Sequence, residues 1–336
     1  VFILFYQYQI TLIMKAAVAE KPGNADVILI EERPVPEPEE NEVLVRVRAF
    51  GLNRAEVVTR KGLSPDVKFP RVLGIECVGE IEHDPTGELA PRQKVAALMG
   101  GMGRNFDGGY EEYVVLPRDI IFPFDSDLGW DQLGAIPEMF QTVYGSLQLS
   151  LEIKKGEVLL IRGGTSSIGM LACQFAHFYG LTVISTTRNP DKAERLNDNG
   201  ADHVIIDDGQ IASKIKDLFP QGIDKVLELV GTTTLQDSMQ CLKPGGVACL
   251  TGMLGEEWEI RDFSPMEFIP PMTRLTTYTS NPANISPEVL QNFIDIVRTG
   301  QIELNVDRVF VIEDIVKAHE YMENNQACGK IVVIVD

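Results

Sequence analysis

The sequence predicts an α/β protein: a doubly wound parallel sheet joined to a second, β-rich domain. Three observations carry that prediction. Short runs of period-two alternation fill the first part of the chain. A strand–helix–strand rhythm takes over from about residue 150. A glycine-rich turn sits between a strand and a helix at the head of that rhythm.

The elements follow in order. Residues 42–49 (E-V-L-V-R-V-R-A) alternate with period two, as a half-buried strand should, and shorter runs follow at 77–82, 94–99 and 110–116. Gly100-Gly101 and Pro117 punctuate them, which reads as a small barrel or sandwich. The parallel series begins with the apolar strand 157–162 and the helix 167–179. Strand 181–186, helix 191–199 stopped by Gly200, strand 203–206, helix 210–219 and strand 223–230 follow. Helix 235–242 closes at Lys243-Pro244-Gly245, strand 246–251 comes next, and 274–280 adds a last strand. The tail holds a helix at 287–299 ended by Gly300, a strand at 308–311, a helix at 313–323 and a final strand at 330–335. The expected domains are 14–136 (β-rich), 137–281 (parallel sheet) and a C-terminal return over 282–336. Residues 1–13, apolar and aromatic, read as an upstream extension with Met14 as the natural start. They are shorter than the ~20 residues of a membrane span.

Composition narrows the function. The chain has 336 residues, with 30 Lys and Arg against 49 Asp and Glu, a formal net charge of −19. Such a chain lacks the basic footprint of a nucleic-acid binder, and an anionic ligand needs a local cationic cluster. The five cysteines (77, 173, 241, 249 and 328) are odd in number and form no C-x-x-C pair. That argues against a disulfide scaffold and for a reducing cytoplasm. Cys77, with its apolar neighbours, reads as a packing residue.

The chemical signal is Gly163-Gly164-Thr165-Ser166-Ser167-Ile168-Gly169, between a strand and a helix. A tight turn there lets backbone N–H groups approach a pyrophosphate, and the helix N-terminus adds partial positive charge. Ser166 replaces the middle glycine, and its hydroxyl could itself meet a phosphate oxygen. A site for NAD usually carries Asp or Glu at the end of the next strand, to hold the ribose hydroxyls. Here that strand ends Ser185-Thr186-Thr187-Arg188, with Lys192 beyond. Hydroxyls and cations suit a 2′-phosphate, so the expected cofactor is NADPH. Gly231, Gly252, Met253 and Leu254 follow later strands at their carboxyl ends and are expected to line the nicotinamide side, with Lys330 a further cofactor contact.

These residues resemble the zinc-free quinone oxidoreductase branch of the medium-chain dehydrogenase/reductase superfamily. The resemblance runs from Met14 to Asp336. Gly51-Leu52-Asn53-Arg54-Ala55-Glu56 with Arg60 and Gly62 is similar to the family's G-x-N-x-x-[DE]-x-x-x-R-x-G. Gly74-Ile75-Glu76-Cys77-Val78-Gly79 resembles its G-x-E-x-x-G, and Gly108-Gly109-Tyr110-Glu111-Glu112-Tyr113 its G-x-[YF]-A-E-Y. Gly200-Ala201-Asp202-His203-Val204-Ile205, Lys243-Pro244-Gly245-Gly246 and Gly329-Lys330-Ile331-Val332 complete the order. The resemblance implies a GroES-like catalytic domain formed from both chain ends around a Rossmann domain, with the active site in the cleft between them. It also implies a homodimer formed by edge strands of the Rossmann sheet, here around 246–252.

Zinc-dependent relatives bind the metal through Cys, His and a further Cys or Asp. Here Asn53 stands at the Cys position and Ile75 at the His position. Glu76 alone remains, too few ligands for catalytic zinc. His83, His177, His203 and His319 are scattered and read as ordinary surface or core residues. A zinc alcohol dehydrogenase is therefore the disfavoured reading. Without a Lewis acid, conjugate or quinone reduction is the accessible chemistry, because charge develops on a distal oxygen that hydrogen-bond donors can hold. The expected activity is NADPH-dependent reduction of quinones or α,β-unsaturated carbonyls, enoyl thioesters included. Asn53 is the expected donor to the substrate oxygen. Val58 stands where many members carry a tyrosine proposed as proton donor, and Tyr144 is the substitute candidate, with water as another source. Thr142 resembles the family residue that lies against the nicotinamide. The alternative from another class is an NADPH-binding redox sensor or structural protein with little turnover.

Overall fold

The computed structural model describes residues 12–336. Most of the apolar segment 1–13 therefore lies outside the described residues; Ile13 opens the strand Ile13–Ala19. The chain forms two compact units. One comprises the chain through Asp125 together with Val309–Asn324 and Val332–Asp336. The other comprises Ser126–Arg308 and Asn325–Ile331. The helix Pro287–Arg298 thus belongs to the second unit, and the chain re-enters the first at Val309.

The first unit is β-rich. A three-stranded sheet pairs Ile13–Ala19 with Ile28–Pro34 and with Arg71–Val72. In a larger sheet Glu42–Gly51 pairs antiparallel with Glu76–His83, with Tyr113–Pro117 and, through Val332–Ile334, with the final strand Lys330–Ile334. The C-terminal strand therefore shares a sheet with the strand Glu42–Gly51. The strand expected over 110–116 begins only at Tyr113. Tyr110 is fully buried, stacked on Phe50 at 4.4 Å, and its backbone serves a turn against Leu73. A buried polar network claims this side chain, and period-two patterning does not see that.

The second unit is built on a parallel sheet. Its strands are Val158–Arg162, Thr182–Thr187, His203–Ile206, Ile223–Glu228, Leu242–Leu250 and Arg274–Thr277. Their spatial order is 203–206, 182–187, 158–162, 223–228, 242–250, 274–277. Strand order reverses direction on either side of Val158–Arg162, so the switch point, where ligands collect in such folds, lies at its carboxyl end. The central strands read as continuous apolar runs because helices cover both faces. Leu160, Ile184, Val226, Ala248, Ile215, Leu235 and Met239 form the core on one side. Elsewhere in the unit Phe140, of helix Pro137–Tyr144, stacks on Phe293, of Pro287–Arg298, with centroids 4.1 Å apart. Phe175, of helix Ser167–Phe178, packs beside both.

Two expectations change. The helix expected at 235–242 spans Thr232–Met239, and the following strand starts at Leu242 with a register shift opposite Ile223 and Lys225. This absorbs Lys243-Pro244-Gly245 into an irregular strand entry. The segment 246–252, expected at a sheet edge, is interior: Leu242–Leu250 is flanked by Ile223–Glu228 and by Arg274–Thr277, and the last of these is the edge. The short strand 274–277 looked optional in sequence, yet it supplies the hydrogen bonds that move the edge outward by one position.

Candidate functional site

The glycine-rich turn leaves the strand Val158–Arg162 and opens the helix Ser167–Phe178. Gly163 has φ +91°, a region that favours glycine. Its N–H donates to Thr186 Oγ1 at 3.1 Å, and Gly164 N–H donates to the Thr186 carbonyl at 3.0 Å. A Cβ on Gly164 would collide with Ser185 Oγ, and one on Gly169 would lie 2.5 Å from the Gly163 carbonyl. All three glycines are therefore required by close packing. Ser166 caps the helix: its Oγ accepts from Gly169 N–H at 3.0 Å and donates to the Gly163 carbonyl at 2.8 Å. Its one hydroxyl hydrogen is thus held inside the turn, which corrects the expectation that it could donate to a phosphate. The N–H groups of Ser167 and Ile168, in the first turn, have no intrahelical acceptor by geometry.

At the end of strand Thr182–Thr187, the hydroxyl of buried Thr187 is engaged with Asn189, donating to its carbonyl and accepting from its N–H, each at 3.1 Å. Arg188 is exposed and Lys192 half-buried. Among the described residues neither enters an ion pair, and Asp191 pairs with neither. The carboxylate nearest in the sheet is Asp207, whose N–H donates to the Thr187 carbonyl at 2.9 Å. It is claimed by Arg162, from Nε at 2.8 Å and Nη2 at 2.9 Å. Burial raises the Asp207 carboxyl, but these bonds and the Gly209 N–H outweigh it, so its pKa lies below the ordinary value. Arg162 also donates through Nη1 to Asp237 at 2.8 Å, to Ser238 Oγ at 3.0 Å and to the Thr234 carbonyl at 3.1 Å.

Beyond the switch point, Glu228 Oε1 accepts from Val230 N–H at 2.8 Å, Gly231 N–H at 3.1 Å and Thr234 Oγ1 at 3.0 Å. Gly231 has φ +114°. Thr251 and Gly252 N–H bond the Glu228 carbonyl and Leu254 N–H that of Leu229, so Gly252, Met253 and Leu254 are strapped to the same strand end. A Cβ on Gly163 would meet Leu229 and Leu254 at 3.2 and 3.3 Å. The turn and these residues therefore converge. Thr142 Oγ1 donates to Glu138 Oε1 at 2.8 Å and lies 2.9 Å from Ser280 Oγ. Tyr144 is half-buried, its ring 5.7 Å from that of Phe140. Lys330 is almost fully buried, and its N–H bonds the Asn305 carbonyl at 2.7 Å.

In the first unit, Asn53 precedes the helix Arg54–Arg60. Its backbone N–H donates to Glu56 Oε2 at 2.6 Å. Its side-chain Nδ2 donates to Glu76 Oε1 at 2.8 Å, to the Gly51 carbonyl at 3.3 Å and to Glu56 Oε1 at 3.4 Å. Glu56 Oε1 accepts from Ile75 N–H at 3.0 Å and Oε2 from Tyr110 OH at 2.9 Å. Burial and Glu56 hold the Tyr110 phenol well above its usual pKa, so it stays a donor. Tyr110 OH lies 3.2 Å from His319 Nε2, and Arg60 Nη1 donates to His319 Nδ1 at 2.8 Å. Because arginine can only donate, Nδ1 accepts and the neutral ring carries its proton on Nε2. Arg60 Nη2 ends the chain on Glu323 at 2.6 Å. Glu56, Arg60, Glu76, Tyr110 and His319 are all at most 1% exposed.

Sequence reasoning missed Arg162, Asp207, Glu228 and Glu138. The signal available was a charged residue inside an apolar run, V-L-L-I-R and V-L-E-L-V.

A parallel sheet with a glycine-rich turn at its switch point, and a β-rich unit that takes in the C-terminal strand, are the two units of a dinucleotide-dependent class of oxidoreductase. Two family models match the chain: an alcohol dehydrogenase GroES-like domain at residues 39–126 and a zinc-binding dehydrogenase domain at 199–333. The quinone oxidoreductase of Lama guanicoe is 25% identical, covering 96% of this chain and 98% of that protein. A 2-haloacrylate reductase of a Burkholderia species is 26% identical, covering 95% and 98%. Among solved structures, an NAD-dependent alcohol dehydrogenase matches with TM-score 0.86, 26% identity and 96% and 100% coverage. The quinone oxidoreductase of Coxiella burnetii matches with TM-score 0.84, 25% identity and 97% and 100% coverage. The chain belongs to the medium-chain dehydrogenase/reductase superfamily, in its zinc-free quinone oxidoreductase-like branch. The zinc in one model's name does not fit the residues present: Ile75 offers an apolar, buried side chain, and the Asn53 amide donates its hydrogen to Glu76. Among the described residues, no helix is long and apolar enough to cross a membrane.

Two outcomes follow. Gly164→Ala forces its methyl onto Ser185 Oγ and should destabilise the protein by about 1–3 kcal/mol. Gly164→Ala with Ser185→Ala should recover most of that loss, because this oxygen is the single contact under 3.0 Å and makes no hydrogen bond of its own. Denaturant unfolding of both single variants and the double closes the cycle. Burial, then the Arg60 charge, lower the His319 pKa from 6.5 to about 3. The unfolded chain therefore takes up a proton below pH 6.5 that the folded protein refuses. This term is neutral above pH 6.5 and destabilises the fold as pH falls toward 3, at up to about 1.4 kcal/mol per pH unit. His319→Gln should flatten the acid limb of a stability–pH curve by about one proton, and an unchanged slope would contradict the buried neutral imidazole.

Proposed function

We propose that the protein is a cytoplasmic, zinc-independent reductase that uses NADPH to reduce quinones or α,β-unsaturated carbonyls. The observation that carries the reading is the pair Arg188 and Lys192. They are two cations without ion-pair partners among the described residues, in a chain of net charge −19, at the strand end next to the glycine turn, where the Asp207 carboxylate of the adjacent strand end is already bound to Arg162. That environment favours a 2′-phosphate. The bound cofactor supplies hydride. The turn 163–169 holds its pyrophosphate, Thr187, Arg188 and Lys192 its adenosine phosphate, and Gly231, Gly252, Met253 and Leu254 its nicotinamide side. Thr142 lies against the ring, and Lys330 is a further contact. Asn53 steadies the substrate oxygen; its amide bonds to the Gly51 carbonyl at 3.3 Å and to Glu56 Oε1 at 3.4 Å are longer than the one to Glu76 at 2.8 Å, and they are the ones an oxyanion competes with. Tyr144 is the candidate proton donor where Val58 cannot serve. The names of the quinone oxidoreductase and 2-haloacrylate reductase relatives support both substrate classes. All five cysteines are free and buried, and burial pushes the Cys173 and Cys241 thiols up to about 12, which suits a reducing cytoplasm.

The test is parallel oxidation of NADPH and NADH with 9,10-phenanthrenequinone. NADPH should be strongly preferred. Arg188→Ala should raise KM for NADPH by about tenfold or more, the loss of one charge-assisted hydrogen bond, and leave NADH nearly unchanged. Equal use of both cofactors would overturn the 2′-phosphate reading. Cofactor binding without turnover would favour the redox sensor.

We also propose a homodimer formed through Arg274–Thr277, the open edge of the parallel sheet. The segment before it exposes Trp258, Met266 and Met272 at 66, 91 and 78%. Sedimentation should show a dimer, and Met272→Glu should shift it toward monomer; a monomeric wild-type protein would refute this.

A further inference from the structure

A buried carboxylate stands at the carboxyl edge of the parallel sheet without a part in the reading above. Glu138 lies in the first turn of the helix Pro137–Tyr144 and is 8% exposed. Its Oε1 accepts from Thr142 Oγ1 and from Ser280 Oγ, each at 2.8 Å, and the two hydroxyls lie 2.9 Å apart. Ser280 sits three residues past the strand Arg274–Thr277. The same helical segment is tied by Ser146 Oγ, 2.9 Å from Thr251 Oγ1, to the end of the strand Leu242–Leu250. Glu138, Thr142 and Ser280 therefore occupy the half of the sheet opposite Arg188 and Lys192, across the switch point. A dinucleotide spanning that point places its nicotinamide there.

The hydrogen-bond geometry offsets the cost of burying a charge. Two hydroxyls donate to one carboxylate oxygen, an arrangement that favours the ionised acid, and the helix N-terminus favours it further. Thr142, having donated its hydrogen inward, offers only a lone pair and a methyl group outward.

We propose that Glu138 is a specificity-determining negative charge for the redox state of the cofactor, stabilising the cationic oxidised nicotinamide over the neutral reduced ring. The proposal rests on the reading of Thr142 as a neighbour of that ring. In the transfer, a hydride carries two electrons and one proton to the acceptor carbon or quinone. The nicotinamide left behind is positive, and the acceptor's negative charge is quenched by one proton from solvent or Tyr144. A fixed negative charge beside the ring lowers the barrier to that separation because it is already oriented. Glu138 need not exchange a proton.

The experiment measures direct binding of NADP+ and of NADPH to the full chain by calorimetry. Glu138→Gln should weaken NADP+ by about tenfold, near 1.4 kcal/mol, while NADPH changes by less than about threefold. Thr142→Ser keeps the hydroxyl donor to Glu138 and with it the charge, and should leave the ratio of the two affinities within about threefold of wild type. An equal loss for both cofactors, no loss for either, or the same ratio shift in Thr142→Ser would overturn the proposal. If Glu138→Gln does not fold, Glu138→Ala removes the same charge with a smaller side chain and is read in the same way. Wild-type protein that binds neither cofactor would instead sink the dinucleotide reading, which separates the two failures.

Discussion

The second unit depends on one buried guanidinium. Arg162 ends the central strand of the parallel sheet and is fully buried, one residue before the glycine-rich turn. A charge there is tolerable only if every donor is matched, and the matching organises the unit. Asp207 fixes the loop after the strand His203–Ile206, and its Oδ1 also takes the Gly209 N–H at 2.8 Å. Asp237, besides receiving Nη1, accepts from Ile211 N–H at 2.8 Å and Ala212 N–H at 3.2 Å. It thereby joins the helix Thr232–Met239 to the start of Ala212–Leu218. Ser238 links the same guanidinium to Glu228, whose carboxylate sets Val230 and Gly231. A single side chain thus ties the loop after His203–Ile206 to the Val230–Gly231 end of the sheet. Its satisfaction is a condition for the glycine turn to sit where the sheet needs it.

The first unit repeats the logic with neutral members added. Glu56 receives backbone N–H groups from Asn53 and Ile75 and the Tyr110 hydroxyl, so one carboxylate fixes the two segments that carry the candidate donor and its partner Glu76. Arg60 donates to Glu323 and to neutral His319, whose Nε2–H faces the Tyr110 oxygen, and Tyr110 donates to Glu56. Because arginine can only donate, the protons between Arg60 and Glu56 all point toward Glu56. Preorganisation of this kind is how a site without a metal can hold a developing oxyanion.

Much of this was legible in the chain. The strand–turn–helix order gave the parallel sheet, because apolar runs of strand length between amphipathic segments have few other uses. The glycine turn gave the cradle, since Gly163, Gly164 and Gly169 each answer a steric requirement. Arg188 and Lys192 stood out against the acidic background. The edge of the sheet was not legible: the short strand Arg274–Thr277 differs from a loop only by the hydrogen bonds it makes to Leu242–Leu250. The start of strand Tyr113–Pro117 was hidden for a related reason. Tyr110 continues an apolar run, yet it is turned inward by partners far away in sequence, Glu56 and His319. Ser166 was misread because the capping rule and the phosphate-binding rule use the same oxygen, and geometry alone assigns its hydrogen.

The placement of charge along the sheet edge follows from what a redox dinucleotide requires. In the function proposed, the cofactor's adenosine phosphate is a permanent anion answered by two cations, exposed Arg188 and half-buried Lys192, whose charges water and counterions screen. Its nicotinamide changes charge during the reaction, from neutral to positive. A charge meant to favour one redox state must not be screened, so it belongs in a buried place, and Glu138 is buried where Arg188 is exposed. Burial of a carboxylate is costly unless hydrogen bonds hold it, and Thr142 and Ser280 supply those bonds from two separate elements. The helix beginning at Pro137 adds its positive end to the same carboxylate. The expense of burying Glu138 is thus met by partners already present at the strand ends. The result is a field that distinguishes two states of the same ligand, which an exposed charge in this strongly acidic protein could not do.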